Sequence, residues 1–211
     1  MKIGFVIPVY KDDTVGDTVR SLKAKFKDCI VVVVSDDDKS SDIAREAGAF
    51  VPYHCERIGY GMSLIEGMKL AYYTLMCDIV ITMDNDHPIN IVEELLKKAE
   101  STSADVVVGH EIGDWKIGKT VGNALVIRCL GFSRIVSNPT CGLVAWKKDI
   151  LYKIPWRKIR CRWDAIHFEL LYSAKEVGAE FENYLFPDHG GARRYGIIRW
   201  LDWWFTFLRI L

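Results

Sequence analysis

The chain has 211 residues, and its hydrophobic half is enough to bury one substantial core, which predicts a single domain. Its 28 lysines and arginines equal its 28 aspartates and glutamates, and this balance excludes a globally basic chain that recruits nucleic acid. No stretch offers the roughly 20 apolar residues of a spanning helix, the N-terminus lacks a signal-peptide pattern, and six scattered cysteines without metal-ligand spacing indicate a reducing compartment.

Strands and helices alternate along the first hundred residues. We predict a cap at Ser41 or Asp42 for the second helix. Because most strands are continuously apolar, both faces of the sheet are expected to be buried, which predicts an α/β fold with a mostly parallel sheet flanked by helices. The predicted strands are residues 2–9, 29–34, 50–53, 79–83 and 105–109, and the predicted helices are residues 14–26, 43–47, 62–75 and 91–99.

Two aspartates follow the predicted strand at residues 79–83. Asp84 and Asp86 stand at positions i and i+2 of an extended segment, so their carboxylates can point the same way. Ligands of open α/β sheets bind at the carboxyl ends of the strands. Neighbouring carboxylates raise each other's pKa, and a hard cation such as Mg²⁺ or Mn²⁺ removes that penalty while it binds substrate phosphates. The pattern favours a metal and phosphate site over an ordinary solvated turn.

Acidic residues also follow the first two strands, at residues 12–13 and 36–38. A nucleoside diphosphate would use these positions, with the Asp37 carboxylate accepting from N–H groups of the base. Arg57 and the backbone amides near Gly59 and Gly61 would meet the phosphate charge at the start of a helix. The alternative is that these loops are acidic because they are solvated.

Together these motifs resemble family 2 glycosyltransferases, and more narrowly the branch of dolichol-phosphate mannosyltransferases and polyprenyl-phosphate glycosyltransferases. The resemblance implies a GT-A (Rossmann-like) domain over residues 1–192. It also implies inverting transfer of a sugar from a GDP- or UDP-linked donor to a polyprenyl or dolichyl phosphate. The matching segments are residues 7–10, 34–42, 57–61, 66–68, 83–86, 138–143, 146–151, 168–171 with Gly178, and 186–193.

The resemblance implies a role for each matched residue. Asp84 and Asp86 would hold the metal, Mg²⁺ or Mn²⁺. The branch often has two more residues between the second aspartate and His-Pro, one of them a glutamine that can join the metal ligands, whereas here His87 follows Asp86 directly. As a third ligand, His87 would favour Mn²⁺. A turn histidine that faces water is the alternative. The residues expected to bind the nucleotide are Pro8, Tyr10, Asp36, Asp37, Arg57, Gly59 and Asp84.

Cationic side chains in the second half are candidates for binding an acceptor phosphate. The branch often has arginines where this chain has Val144 and His189, so recognition of the phosphate would depend on substitutes. The candidates are Lys119, Arg128, Arg134, His189, Arg193 and Arg194.

The chemistry of the acceptor decides whether a base is needed. A phosphate monoester is already ionised near neutral pH, whereas a hydroxyl needs a general base. The candidates are Asp164, His167 and Glu169, on a predicted helix at residues 164–177. Asp164 and His167 share a helical face, and Glu169 does not. With the metal-binding Asp86, the predicted catalytic set is Asp86, Asp164 and Glu169; an ordinary polar first turn is the alternative.

The last residues form an aromatic and basic segment. Residues 195–211 contain three tryptophans and two phenylalanines, and Arg193, Arg194, Arg199 and Arg209 accompany them. Tryptophan with arginine suits the headgroup boundary of a bilayer. We therefore predict an amphipathic membrane-surface helix over residues 193–211, and a peripheral, monotopic protein on the cytoplasmic face of a membrane. The alternative is a helix docked on the domain or at a dimer interface.

Three other functions remain open at this stage. The same fold can glycosylate a hydroxyl instead of a lipid phosphate. A nucleotidyltransferase also pairs aspartates with such a sheet, although the glycine-rich, lysine-bearing loop expected there is absent after Val9. A non-catalytic module that binds a nucleotide sugar is the third.

Overall fold

The computed structural model describes residues 1–53, 57–112, 117–133, 135–187 and 197–211, although it leaves out the side chains of residues 117–121, 197–200 and 202. The strands in these ranges are β1 (Ile3–Val9), β2 (Ile30–Ser35), β3 (Ile79–Thr82), β4 (Val106–Ile112), β5 (Val144–Lys147) and β6 (Phe181–Pro187). The helices are α1 (Val15–Lys25), α2 (Asp38–Glu46), α3 (Tyr60–Lys69), α4 (Ile89–Ser101), α5 (Ile117–Cys129), α6 (Lys148–Lys153), α7 (Ile166–Glu176) and α8 (Ile197–Ile210).

The six strands form one sheet in the order β2-β1-β3-β5-β4-β6. β1 pairs in parallel with β2 and β3, and β4 pairs in parallel with β6, whereas β5 runs antiparallel to both of its neighbours. The carboxyl ends of β1, β2 and β3 therefore meet at one edge of the sheet. The predicted α/β architecture, a mostly parallel sheet flanked by helices, is confirmed.

Alternate residues of the strands supply two separate cores. Val6 and Val80 face the side covered by α3 and α7, while Phe5, Ile7 and Ile81 face the side covered by α1 and α4. Both faces of β1, β2 and β3 are buried because these strands are almost continuously apolar, as the sequence predicts, whereas β6 at the edge of the sheet is only partly buried.

Two glycines let α3 approach its neighbours closely. A Cβ atom on Gly67 would lie 2.4 Å from Val6 Cγ1 and 3.0 Å from Val34 Cγ2. A Cβ atom on Gly61 would lie 2.5 Å from the carbonyl oxygen of Cys161. Gly67 therefore lets the second half of α3 lie close against the sheet, and Gly61 lets the start of α3 lie close against the loop before α7. A π-helical turn, Leu70–Thr74, follows α3 directly.

Two elements differ from the predictions. α2 begins at Asp38, five residues before the predicted start, because the Asp37 side chain accepts from the amide of Ser40 and caps the helix there. The predicted strand at residues 50–53 is only a single parallel bridge between Val32 and Phe50. Pro52 has no N–H group, so it cannot continue the ladder.

The aromatic C-terminal helix is present as α8, and it packs on the domain. The Trp203 ring lies 5.5 Å from the Phe168 ring of α7, and Phe207 is buried in the core beneath α3 and α7. No helix among the described residues has the length and apolarity to cross a membrane. The five cysteines in the described part of the chain are free thiols.

Candidate active site

A group of three potential metal ligands lies at the carboxyl end of β3. One ligand atom from each of Asp84, Asp86 and His87 lies within 4.8 Å of the other two. Two ligand atoms of an octahedral Mg²⁺ lie at most about 4.2 Å apart, so the spacing of this group is close to that of the ligands of a bound ion. Two carboxylates suit Mg²⁺ or Mn²⁺, and the imidazole favours Mn²⁺. The residues present fit the predicted ion.

The His87 ring is held in the turn by the backbone. Its Nδ1 atom lies 3.0 Å from the amide nitrogen of Asp84, which donates to it, and 3.9 Å from Asp86 Oδ1. The ring is buried, and its edge faces the ring of Phe186 on β6 at 6.3 Å. The buried ring therefore does not form the water-facing turn that the sequence left open as the alternative.

Two residues far along the chain support the Asp84 carboxylate. Tyr60, the first residue of α3, donates from its hydroxyl to Asp84 Oδ1 at 2.9 Å. His167 Nε2 of α7 lies 3.0 Å from the same hydroxyl. Gly142 closes the other side, where a Cβ atom would stand 3.1 Å from Asp84 Oδ2. Sequence reasoning missed Tyr60, because nothing in its local sequence shows that its hydroxyl reaches a strand end.

The middle residue of the Asp-Asn-Asp turn points toward α1. Asn85 donates to Asp12 Oδ2 and to Thr14 Oγ1, both at 2.9 Å. Asp12 also accepts from the amide of Thr14, which fixes the start of α1. The Asn85 Oδ1 atom is buried and has no hydrogen-bond partner among the described residues. Asp84 and Asp86 therefore belong to the group of potential metal ligands, whereas the side-chain amide of Asn85 between them connects the end of β3 to the start of α1.

A cavity of about 310 Å³ opens beside this turn. The Arg57 guanidinium lies over the Tyr10 ring, 3.8 Å from its centroid, and 5.9 Å from the centroid of Trp163. A cation and two aromatic faces give the cavity a flat wall on which a planar ring can stack. The cavity is lined by Pro8, Val9, Tyr10, Lys11, Asp12, Asp36, Arg57, Tyr60, Ser63, Asn85 and Trp163.

The two neighbouring aspartates after β2 have different roles. Asp36 lines the cavity and accepts from the amides of Ile58 and Gly59 at 3.0 and 2.9 Å, so it fixes the loop that carries Arg57. Asp37 instead caps α2, and its carboxylate also accepts from the amide of Lys11 at 2.6 Å. In this structure the Asp37 oxygens are used in capping α2 and in fixing the loop after β1, and binding of the base by Asp37 stays a prediction.

Burial raises the pKa of the Asp37 carboxyl, but hydrogen bonds from the Lys11 and Ser40 amides outweigh burial. Together with the hydroxyls of Ser40 and Ser35, these amides hold the pKa of Asp37 below its ordinary value. The carboxylate is thus kept ionised where it caps α2.

The glycine amides are also engaged within the protein. The Gly59 amide donates to Asp36, and the Gly61 amide donates to the carbonyl oxygen of Arg162 at 2.7 Å. Both amides therefore have partners within the protein in this structure, and binding of phosphate by them stays a prediction. Gly59 has a positive φ of 86°, and it serves the turn that leads into α3.

The three acid–base candidates around α7 have separate positions. His167 contacts Tyr60, as described above, and its amide donates to the carbonyl oxygen of Asp164 at 3.4 Å. Glu169 is buried, accepts from the amide of Cys161 at 2.9 Å and forms an ion pair with Arg209 of α8. These contacts give Glu169 a structural role, and a catalytic role for it stays a prediction. Asp164 remains the half-buried carboxylate at the start of this helix.

Most of the predicted acceptor-phosphate residues lie outside the described residues. This holds for Arg134, His189, Arg193 and Arg194, and for the side chain of Lys119, whose backbone lies in α5. Arg128 is exposed on α5.

Comparison with known proteins supplies a family and a fold. The family model described as "Glycosyl transferase family 2" matches residues 5–114. An uncharacterized protein of Methanocaldococcus jannaschii is 30% identical over 133 residues, which cover 58% of this chain and 54% of that protein. The chain thus spans about half the length of this relative.

Solved structures of glucosyl-3-phosphoglycerate synthase from Mycobacterium tuberculosis share the fold. One matches 99% of this chain and 80% of its own at 17% identity, with a TM-score of 0.75. Another, in complex with Mn²⁺, UDP-glucose and phosphoglyceric acid, matches 99% of this chain and 79% of its own at 16% identity, with a TM-score of 0.74. At such identities the likeness concerns the fold.

Proposed function

The chain belongs to glycosyl transferase family 2, and we propose that it is a metal-dependent glycosyltransferase that moves a sugar from a UDP-linked donor to a hydroxyl acceptor. One observation carries this proposal: the Asp84, Asp86 and His87 group adjoins an aromatic and cationic cavity of about 310 Å³. A nucleoside diphosphate needs both parts, one for its charge and one for its base. Membership in the family favours glycosyl transfer over nucleotidyl transfer.

The metal ligands and their supports act on the diphosphate. Asp84, Asp86 and His87 would hold Mg²⁺ or Mn²⁺, and the bound ion neutralises charge on the departing diphosphate. Tyr60 keeps the Asp84 carboxylate in place before the ion arrives, because its hydroxyl donates to Oδ1. A glucosyl-3-phosphoglycerate synthase structure of the same fold contains Mg²⁺ and UDP, which supports this pairing of ion and nucleotide.

The cavity wall would hold the nucleoside. Tyr10 offers a ring face to a base, and the Arg57 guanidinium that now covers it can turn toward a phosphate instead. Asn85 Oδ1 is a buried acceptor without a partner among the described residues, and a ribose hydroxyl is a donor that would satisfy it after a small side-chain movement. The pyrimidine of a UDP-linked donor is our choice because neighbours of the same fold bind UDP and UDP-glucose.

A hydroxyl acceptor requires a group that removes its proton. Asp164 is our candidate, because Glu169 is committed to Arg209 and to backbone amides. Asp164 precedes His167 by one turn, and His167 is joined to the metal site through Tyr60. A structure of the neighbouring enzyme, a glucosyl-3-phosphoglycerate synthase, contains UDP-glucose together with phosphoglyceric acid, a small anion with a hydroxyl group. This supports a hydroxyl acceptor over a lipid phosphate for the present chain.

A polyprenyl phosphate is the second candidate acceptor, favoured by a wide groove beside the cavity. The groove has a volume of about 670 Å³, and it shares Arg57 with the cavity. Apolar Met62, Ile65 and Leu70 line it, and Arg57 and Arg162 supply cations. An isoprenoid chain fits the apolar part, and its phosphate fits the cationic part.

One turnover experiment tests both candidates. The protein is incubated with Mn²⁺, a panel of UDP- and GDP-linked sugars, and either phosphoglyceric acid or a polyprenyl phosphate, and release of nucleoside diphosphate is followed. We expect release that needs a UDP-sugar and a hydroxyl acceptor and that falls at least a hundredfold in Asp164→Asn, on the usual scale of acid–base catalysis. Release only with the lipid, unaffected by Asp164→Asn, would select the second candidate. Nucleotide binding without release under any condition would leave a binding module.

A further inference from the structure

The charge of this neutral chain is unevenly distributed, because a basic segment precedes α7. Residues 150–163 contain five cationic side chains and no acidic one. All five are exposed, and none forms an ion pair with a carboxylate within the described ranges. They are Lys153, Arg157, Lys158, Arg160 and Arg162, and we refer to residues 153–162 as the basic segment.

α8 presents large apolar side chains to solvent beside this segment. Leu201, Phe205 and Leu208 are 43%, 70% and 62% exposed, and their spacing of four and three residues places them on one face of the helix. Phe207, on the opposite face, is only 3% exposed. We refer to Leu201, Phe205 and Leu208 as the outer stripe. Packing of α8 on the domain does not explain the outer stripe, because these three side chains point away from the domain.

One buried carboxylate joins the two features. Glu169 accepts from the amides of Arg160 and Cys161, at 3.2 and 2.9 Å, and forms an ion pair with Arg209 of α8. The basic segment and the last turn of α8 are therefore fixed beside each other. The contact also occupies the Arg209 guanidinium, so among the described side chains it is the basic segment that offers exposed cations to this surface.

We propose that the outer stripe and the basic segment together dock the protein on an anionic bilayer surface. Apolar side chains enter the boundary between headgroups and acyl chains, while neighbouring cations meet lipid phosphates. A second copy of the chain is a poorer occupant, because a two-fold interface would place the basic segment of one copy near that of the other. Arg162, at the end of the basic segment, also lines the groove beside the cavity, but Arg157, Lys158 and the outer stripe line neither the cavity nor the groove. The proposal therefore does not depend on the proposed reaction.

Vesicle sedimentation of the full chain, without nucleotide or metal, tests the proposal. Vesicles of phosphatidylcholine with phosphatidylglycerol should bind the protein, and vesicles of phosphatidylcholine alone should bind it far less. The variant Phe205→Ser/Leu208→Ser should bind at least tenfold more weakly, because two exposed apolar side chains are removed. Arg157→Gln/Lys158→Gln should lose roughly fivefold for each cation, since each contributes about 1 kcal/mol near an anionic surface.

Matched controls keep the outcome specific. Phe50→Ser/Tyr53→Ser removes two exposed aromatic side chains elsewhere, and Lys23→Gln/Lys27→Gln makes the same change of charge near the end of α1 and just beyond it. Both controls should bind vesicles as the parent does. Equal binding to neutral and anionic vesicles, or full binding by the Phe205→Ser/Leu208→Ser variant, would overturn the proposal. A dimer that dissociates in that variant, with no vesicle binding by the parent, would also overturn it and assign the stripe to self-association.

Discussion

Removing the hydroxyl of Tyr60 should weaken metal binding while the fold is kept. In Tyr60→Phe, the Asp84 carboxylate loses a donor at 2.9 Å, and His167 Nε2 loses a contact at 3.0 Å. A hydrogen bond to a charged group contributes about 1.5–3 kcal/mol. Because Tyr60 and Asp84 are only half-buried, we take the lower figure, about 1.5 kcal/mol, for the loss in the free energy of unfolding.

The same change should lower the affinity for Mn²⁺ about tenfold, the lower end of the range for groups that orient a metal ligand. The assay is a titration of the protein with Mn²⁺ in the presence of UDP, in which free Mn²⁺ is measured by electron paramagnetic resonance. Tyr53→Phe is the control, because the Tyr53 side chain is 79% exposed. His167→Gln keeps a donor for the Tyr60 oxygen and should retain most of the affinity, whereas His167→Phe should not.

A Mn²⁺ affinity that is unchanged or higher in Tyr60→Phe would refute this reasoning. It would mean that the hydroxyl competes with the ion for Asp84 Oδ1 instead of holding the carboxylate ready.

Three further changes test the scaffold. Gly67→Ala should destabilise the protein by about 1–3 kcal/mol in urea unfolding, because the new Cβ atom would stand 2.4 Å from Val6 Cγ1; full stability would mean that α3 can move away from the sheet. Asp37→Ala should cost about 1 kcal/mol at neutral pH through the lost cap of α2. Since the folded pKa of Asp37 lies below its unfolded value, this stabilisation is complete above the unfolded pKa and disappears as the pH falls through the folded pKa. Asp37→Asn is the control, because asparagine can also cap the helix. A loss of stability in Asp37→Ala that persisted in acid would contradict the assignment. Arg209→Met removes the ion pair between α8 and the buried Glu169 carboxylate, so hydrogen exchange of the α8 amides should accelerate, and unaltered exchange would show that this ion pair does not hold α8 in place.

The sequence predicts the parts of the site that depend on local pattern. Asp84 and Asp86 follow an apolar strand directly, and parallel strands bring their carboxyl ends to one edge. Tyr10 directly follows β1, Arg57 lies in the loop before α3, and both line the cavity beside the turn. Whether these residues bind a nucleotide stays a prediction.

Contacts between distant parts of the chain could not be predicted in this way. Tyr60 and His167 are 107 residues apart, and only the packing of α3 against α7 brings the hydroxyl to the imidazole. The choice between Asp36 and Asp37 depended on where α2 begins, and either could have been the cap. Glu169 looked like an acid–base group in the first turn of a helix, because its partner Arg209 lies 40 residues further along the chain.

Calorimetric titration with UDP tests the central claim, that the Asp84, Asp86 and His87 group and the neighbouring cavity form one metal and nucleotide site. We expect UDP to bind with Mn²⁺ present and to bind at least tenfold more weakly either without Mn²⁺ or in Asp86→Asn, since Asp86 is exposed and its loss should leave the fold intact. UDP binding of equal strength in all three conditions would contradict the claim, because the nucleotide would then be held without any contribution from the metal group.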